Sequence, residues 1–84
     1  MFYTYVLESL ADSSRHYIGH SEDLRQRLKD HNCGKSPHTS RHAPWKVKFY
    51  AAFETIEFAR DFEQYLKSGS GHAFAHKHLW ESAP

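Results

Sequence analysis

Three side chains of complementary chemistry follow one another in the first half of the chain: Tyr17, Arg27 and His31. Arg27 and His31 are four residues apart, so on a helix they lie one turn from each other and point towards one target. A guanidinium is always charged and offers phosphate a planar fork of donors. An imidazole, with an ordinary pKa of about 6.5, can take up a proton near neutral pH. With the tyrosine hydroxyl, this set predicts a phosphate-facing site.

Two strands must position the tyrosines. Residues 2–8 alternate aromatic and β-branched side chains without Gly or Pro, which favours a strand with Tyr5 on one face. Residues 9–15 are polar and too short for a crossover connection, so residues 16–19 return as an antiparallel strand that carries Tyr17. Tyr5 and Tyr17 are therefore predicted to lie near each other on neighbouring strands.

A helix must position Arg27. Ser21 is the predicted N-cap of this helix, and the step from Asn32 to Gly34 ends it, with Gly34 in the left-handed conformation. Leu24 and Leu28 form its predicted buried stripe. Arg25 competes with Arg27 as the phosphate ligand, but the register with His31 favours Arg27.

The second half of the chain supplies a strand and two helices. Residues 35–44 form a polar loop, and residues 45–54 alternate as a strand with Trp45, Val47, Phe49, Ala51 and Phe53 on one face. Thr55 caps a predicted helix over residues 56–67, with Glu63 beside its apolar stripe. The sequence Ser-Gly-Ser-Gly breaks that helix, and residues 72–80 form a short last helix.

The composition indicates one soluble domain over residues 1–80 with a frayed tail at residues 81–84. The single cysteine, Cys33, excludes an internal disulfide and most cysteine-based zinc sites. Without a long apolar run or a signal-like N-terminus, we expect a cytoplasmic protein that does not enter the membrane.

The charge is unevenly distributed along the chain. Residues 21–50 carry seven cations and three acids, a net charge of +4, although the whole chain is only +1. This basic middle predicts contacts with nucleic acid, and a solvated helix face beside a charged edge strand explains the charge equally well. The candidate contacts are Lys35, His38, Arg41, His42 and His72. Zinc held by His38 and His42, or by His72 and His76, is disfavoured because neither pair has an evident third ligand.

The motifs Tyr3-Thr4-Tyr5 and Tyr17-Ile18-Gly19, followed by Arg27 and then Glu63, occur in a recognisable order. Together they resemble the GIY-YIG nuclease superfamily, in particular small stand-alone bacterial proteins similar to the N-terminal nuclease domain found in bacterial excinuclease. The resemblance covers nearly the whole chain. It implies an α/β (α+β) fold in which a three-stranded antiparallel sheet is flanked by helices, in the order β-β-α-β-α-α.

The resemblance also implies roles for individual residues. Tyr5 matches the general base, Glu63 the metal-binding carboxylate, and the remaining motif positions are Tyr17, Gly19, Arg27 and His31. It implies one Mg²⁺ or Mn²⁺ ion, weakly bound without DNA, since a single carboxylate leaves most ligands to water and phosphate. Alternatively, His31 accepts the proton of the attacking water, either directly or relayed through Tyr5. Two positions depart from the family pattern: Tyr3 replaces a glycine, and Ala75 stands where several members carry asparagine.

Three functions follow from these observations. The first is a metal-dependent DNA endonuclease of low sequence specificity, acting on damaged or branched DNA in repair or recombination, as a monomer or weak homodimer. The second is a nucleic-acid-binding module of the same fold that is catalytically weak or inactive. The third is a protein-interaction domain that uses exposed aromatic residues such as Trp80.

Overall fold

The computed structural model describes residues 1–80, and the predicted tail at residues 81–84 lies outside the described residues. In chain order the elements are strands β1 (Phe2–Ser9) and β2 (His16–Ser21), helices α1 (Leu24–Asn32) and α2 (Pro37–Ser40), strand β3 (Trp45–Phe53), and helices α3 (Ile56–Lys67) and α4 (Gly69–His78). The predicted fold is confirmed, with the short helix α2 as an addition. Within residues 1–80, no helix is both long and apolar enough to cross a membrane.

The sheet has the order β2-β1-β3, and β1 pairs antiparallel with both neighbours. Side chains alternate across β1 as predicted. Tyr5 and Leu7 pack with Trp45 in the core beneath α1, whereas Thr4 faces α3 and donates a 2.6 Å hydrogen bond to the Ala59 carbonyl. The sheet therefore separates α1 and α2 on one face from α3 and α4 on the other.

The predicted single apolar face of the third strand, from Trp45 to Phe53, is wrong. Val47 pairs with Leu7, whereas Phe49 pairs with the residue just before Leu7, so β3 contains one extra residue at a bulge. Such an insertion turns the following side chains to the opposite face. Val47 consequently packs beneath α1, and the ring of Phe49 lies 6.3 Å from that of Phe62 on α3.

The predicted N-cap of the first helix is also wrong. Asp23 caps α1, and its carboxylate accepts a 3.1 Å hydrogen bond from the Gln26 N–H. Ser21 cannot take that place because it still pairs with Tyr3 at the end of β2. The predicted end of the helix is confirmed, since Gly34 adopts a φ of +78°.

The segment at residues 35–44, predicted to be an irregular loop, contains α2 and is tied to the sheet. Pro37 opens the helix, where its fixed φ suits the first turn. The Trp45 indole N–H donates to the Thr39 carbonyl at 2.8 Å, and the Ser9 hydroxyl donates to the His42 carbonyl at 2.6 Å. These long-range contacts place Thr39 in the interior, 1% exposed.

Helix α3 is confirmed with its Thr55 cap, but α4 begins three residues earlier than predicted. Ser68 ends α3 and caps α4, accepting a hydrogen bond from the Gly71 N–H at 3.2 Å. Gly71 lies so close to α3 that a Cβ atom would come within 1.8 Å of the Tyr65 carbonyl oxygen. Gly71 therefore permits a tight junction between the two helices at a place where the sequence alone predicted a break.

Candidate active site

The centre of the site is a buried chain of hydrogen bonds that starts at Tyr5. The Tyr5 hydroxyl lies 3.0 Å from Nε2 of His31, and Nδ1 of His31 lies 2.8 Å from the Thr39 hydroxyl. The Thr39 hydroxyl also lies 3.3 Å from the Ser36 carbonyl, to which it can donate its proton. In the tautomer that this donation favours, Nδ1–H donates to Thr39, and Nε2 accepts from the Tyr5 hydroxyl.

Burial and one cation set the protonation of this pair. Burial lowers the pKa of His31, and the nearby Arg27 guanidinium lowers it further. Burial also raises the pKa of Tyr5, and Arg27 beside the hydroxyl offsets only part of that rise. The pKa of Arg27 is raised mainly by its contact with Tyr5. At neutral pH the site thus holds a neutral imidazole, a protonated phenol and a guanidinium.

Gly19 allows the two tyrosines to approach each other. It pairs with Tyr5 across the strands, and a Cβ atom there would lie 2.8 Å from the Tyr5 hydroxyl oxygen and 3.1 Å from Cε1 of Tyr17. The Tyr17 ring packs 4.7 Å from His31 and 6.3 Å from Tyr5. Tyr17 is half-buried, so its ring covers the imidazole at the boundary between the interior and solvent.

Glu63 reaches the same sheet edge from α3. One carboxylate oxygen lies 2.5 Å from Nδ1 of His20 and the other accepts a 2.7 Å hydrogen bond from Lys67. Burial would raise the pKa of Glu63, but the hydrogen bonds from Lys67 and His20 outweigh it and hold the pKa below its ordinary value. Glu63 and Lys67 thus form a pair one turn apart on α3, and the carboxylate is ionised at neutral pH.

The charges of both Arg27 and Glu63 act on Tyr5. The Arg27 guanidinium lowers the pKa of Tyr5, and the Glu63 carboxylate contributes to raising it through space. Arg27 itself forms a 3.8 Å ion pair with Asp30 and keeps 39% of its side chain exposed. A phosphate oxygen can therefore reach the guanidinium, which in turn contacts the Tyr5 hydroxyl.

The residues at Glu63 fit a divalent cation. A carboxylate suits Mg²⁺ or Mn²⁺, and the adjacent imidazole nitrogen of His20 is a ligand that transition metals accept. Across residues 1–80, His, Cys, Asp and Glu side chains nowhere gather in a group of three that could hold a metal ion. A cation at Glu63 would therefore take most of its ligands from water and from the substrate.

The predicted DNA contacts fall on two faces of the molecule. Lys35, His38 and Arg41 are exposed next to α1 and α2, and Lys35 lies 3.6 Å from Asp30. His42 packs against Trp45 beside them. His72 lies elsewhere, in a groove under α4 on the opposite face of the sheet.

Arg25 does not share the environment of Arg27. It lines a cleft with Tyr3 and Tyr50, whose rings meet edge-on at 6.0 Å. The structure thus brings Arg27, and not Arg25, next to the Tyr5 hydroxyl.

Sequence reasoning missed two residues of this site. Thr39 fixes the tautomer of His31, yet it lies in a segment that looked irregular. His20 contacts Glu63, and its position could have been inferred, because strand alternation places the residue after Gly19 on the α3 face.

A sequence profile described as the GIY-YIG catalytic domain matches residues 1–75. This range includes every residue of the predicted catalytic set, from Tyr5 to Glu63.

Related proteins carry names that state no activity. A UPF0213 protein of Streptococcus pneumoniae serotype 4 is 39% identical over 66 residues, which cover 77% of this chain and 65% of that protein. UPF0213 protein SpyM50708 of Streptococcus pyogenes serotype M5 is 38% identical over 66 residues, covering 77% of this chain and 70% of that protein. The chain thus spans roughly two thirds of the length of these relatives.

Proposed function

This chain belongs to the GIY-YIG family, a family of nucleases, and on that premise we propose that it hydrolyses phosphodiester bonds in DNA with the help of a divalent cation. We further propose little sequence preference, since the exposed basic residues beside α1 and α2 suit phosphates, which carry no sequence information. Damaged or branched DNA in repair or recombination is the proposed substrate.

The observation that carries the proposal is the hydrogen-bonded chain from Thr39 through His31 to Tyr5. It joins a proton acceptor, kept neutral by burial, to a hydroxyl beside a guanidinium. Apolar side chains could stabilise this part of the interior equally well, because removing hydroxyls and an imidazole from water costs free energy. General base catalysis gives it a use.

The chemistry follows from the order of the hydrogen bonds. As water attacks phosphorus, its proton passes to the Tyr5 oxygen while the Tyr5 proton passes to Nε2 of His31. Tyr5 therefore transfers a proton without having to become a stable phenolate, which its raised pKa disfavours. His31 becomes an imidazolium held by Thr39, and Arg27 neutralises charge on a phosphate oxygen. The P–O bond opposite the attacking water breaks, and the leaving sugar oxygen takes a proton from solvent. His31 later returns its proton to solvent, so the reaction consumes only water.

Glu63 is the residue proposed to hold the cation. GIY-YIG nucleases generally use divalent metal ions, and a bound ion supplies positive charge to the phosphate oxygens. In this chain one carboxylate oxygen faces His20 and the other Lys67. A cation at Glu63 would compete with these two contacts, and we expect the affinity for the ion alone to be weak.

The test is cleavage of supercoiled plasmid and of branched duplexes with Mg²⁺ or Mn²⁺. We expect the wild type to cut, Glu63→Gln to be inactive with its fold retained, and Arg27→Gln to lose most of the rate. Lys77→Gln is the matched control, because Lys77 is an exposed cation on α4. A wild type as inactive as Glu63→Gln on every substrate would overturn the proposal.

One observation favours the second candidate, a binding module without cleavage. Both carboxylate oxygens of Glu63 already have partners within the protein, and Ala75, where several family members carry asparagine, is buried. Under this alternative, Glu63→Gln would leave salt-dependent DNA binding unchanged and no variant would affect a rate.

A further inference from the structure

A second concave surface lies on the α3 and α4 face of the sheet, across from Tyr5. It is an open groove of about 750 Å³, which is within the range of roughly 300–1,000 Å³ typical of ligand sites. The residues that give it its chemistry are Glu8, His16, Lys46, Lys48, His72 and Trp80. Of these, the proposed cleavage mechanism uses none.

The floor of this groove is a carboxylate with two lysines and a histidine around it. Glu8 lies 3.1 Å from Nε2 of His16, 3.4 Å from the Lys46 ammonium and 3.9 Å from the Lys48 ammonium. Burial would raise the pKa of Glu8, but the hydrogen bonds from His16 and Lys46 hold it below its ordinary value. One carboxylate thus fixes two lysines in place, and a positive charge is left over to attract an anion.

The groove also contains a flat aromatic surface. The His16 and Trp80 rings stack at 3.9 Å with an angle of 11° between their planes. The pair joins β2 to the residues after α4, next to the lysines. Proteins that bind single-stranded nucleic acid combine such aromatic surfaces, on which bases stack, with cations that follow the phosphates.

The position of the groove connects it to Glu63. His16 and His20 lie on the same face of β2, four residues apart, which is about 13 Å along a strand. His20 contacts Glu63. The distance corresponds to about four nucleotides at the 3.4 Å spacing of a stacked strand, so one strand could lie at both places.

We propose that this groove binds a single-stranded DNA segment a few nucleotides long, adjoining the bond that is cut. A base stacks on the face of the Trp80 ring that His16 does not cover, and the phosphates contact Lys46 and Lys48. The assignment of the strand as part of the substrate rests on the proposed nuclease function, whereas binding in the groove requires no cleavage. The proposal gives the enzyme a physical reason to prefer branched or unpaired DNA over intact duplex.

The location of binding is tested on the wild-type protein by NMR. The ¹⁵N-labelled protein is titrated with tetrathymidylate in EDTA, so no cleavage can occur. The two tryptophans provide an internal comparison, because the Trp45 indole is buried and donates to Thr39 on the other face. We expect the Trp80 indole signal to move and that of Trp45 to stay. An unmoved Trp80 signal, or shifts confined to the surroundings of Arg27, would overturn the proposal.

Variants test the chemistry of binding, measured by fluorescence anisotropy with labelled hexathymidylate. Replacing Lys46 and Lys48 with Gln should reduce the slope of log K against log[salt] by about 1.4, since each phosphate contact on a single strand contributes about 0.7. Trp80→Ala should weaken binding about five- to hundredfold, and Trp80→Tyr should restore most of it. Lys77→Gln, on α4 but outside the groove lining, should change nothing.

An equal effect of Lys77→Gln would mean a diffuse charge effect and would refute the groove. Equal competition by inorganic phosphate and by oligonucleotide would also refute it, because stacking would then contribute nothing. The result is independent of the proposed cleavage: Glu63→Gln should lose cleavage and keep hexathymidylate binding. A protein that binds in the groove but never cuts DNA would sink only the nuclease assignment.

Discussion

Replacing Thr39 with valine tests the proposed proton path without touching a charged residue. The side chain is 1% exposed and its hydroxyl lies 2.8 Å from Nδ1 of His31. Valine has nearly the same shape and lacks the oxygen, so the packing stays and the acceptor for Nδ1–H is removed. Thr39→Ser is the matched control, because it keeps the hydroxyl and loses one methyl group.

Removal of that acceptor costs either stability or cleavage rate, depending on which nitrogen of His31 then carries the proton. The first cost is in stability. If His31 keeps its proton on Nδ1, a buried N–H loses its partner, which costs about 1–3 kcal/mol of unfolding free energy. For a domain of this size each kcal/mol lowers the melting midpoint by roughly 4–8 °C. The serine control should lose about 0.8 kcal/mol, the value of one buried methylene-sized group.

The imidazole can avoid the first cost by moving its proton to Nε2. It then donates to the Tyr5 hydroxyl and no longer accepts from it, so the proton path is reversed. General bases contribute about 10²- to 10⁴-fold to a rate. We therefore expect Thr39→Val to lower the cleavage rate by about 10²-fold or more, and Thr39→Ser to stay within a few-fold of the wild type.

Three measurements separate these effects. Thermal unfolding gives the stability, single-turnover cleavage of a branched duplex gives the rate, and ¹⁵N NMR of the imidazole shows which nitrogen of His31 carries the proton. Thr39→Val should lower the melting midpoint if the His31 proton stays on Nδ1, and should lower the cleavage rate if the proton moves to Nε2. A valine variant whose His31 carries its proton on Nε2 and whose cleavage rate is still that of the wild type would refute the role of His31 as the proton acceptor.

Three further predictions follow from the geometry. The proposed path needs a neutral His31, and burial lowers the pKa of His31. The cleavage rate should therefore be constant above about pH 6.5 and fall only at lower pH, as His31 protonates. A rate that already decreases on acidification while the pH is still above this value contradicts the prediction. Gly71→Ala should cost at least about 1–3 kcal/mol of unfolding free energy, since its Cβ would meet the α3 backbone, whereas Gly69→Ala, with nothing within 4 Å, should be neutral or stabilising in urea denaturation. Gly19→Ala should displace the Tyr5 hydroxyl and abolish most cleavage, and full activity in the same assay would show that this close approach is dispensable.

Several features of the fold were predictable because they depend on neighbouring residues. The Thr55 cap, the left-handed Gly34 and the alternation along β1 are set within a few positions of the chain, and all were found. The N-cap at Ser21 was predicted wrongly, because strand pairing with Tyr3 holds that residue extended. Local preference was overruled there by a contact that is distant in sequence.

The bulge in β3 and the helix α2 could not be predicted from neighbouring residues either, because contacts distant in sequence decide both. An apolar residue occupies every second position from Trp45 to Phe53 in the sequence, and only the register with β1 shows that one residue is unpaired. Pro37 and its polar neighbours carry no apolar period. Their helix is held by contacts to Trp45 and Ser9, which come from the sheet.

The sequence by itself determined the family and the order of the elements: the order and spacing of Tyr5, Tyr17, Arg27 and Glu63 were enough to indicate both. Only the tertiary structure decided which atoms meet. It brings the Tyr5 hydroxyl within 3.0 Å of Nε2 of His31 and places His20 against Glu63, 43 residues away. The physical reason is the distance along the chain over which each property is set. Residue type and short spacing fix which chemical groups are present and the local conformation, whereas hydrogen-bond partners and burial depend on how distant segments pack.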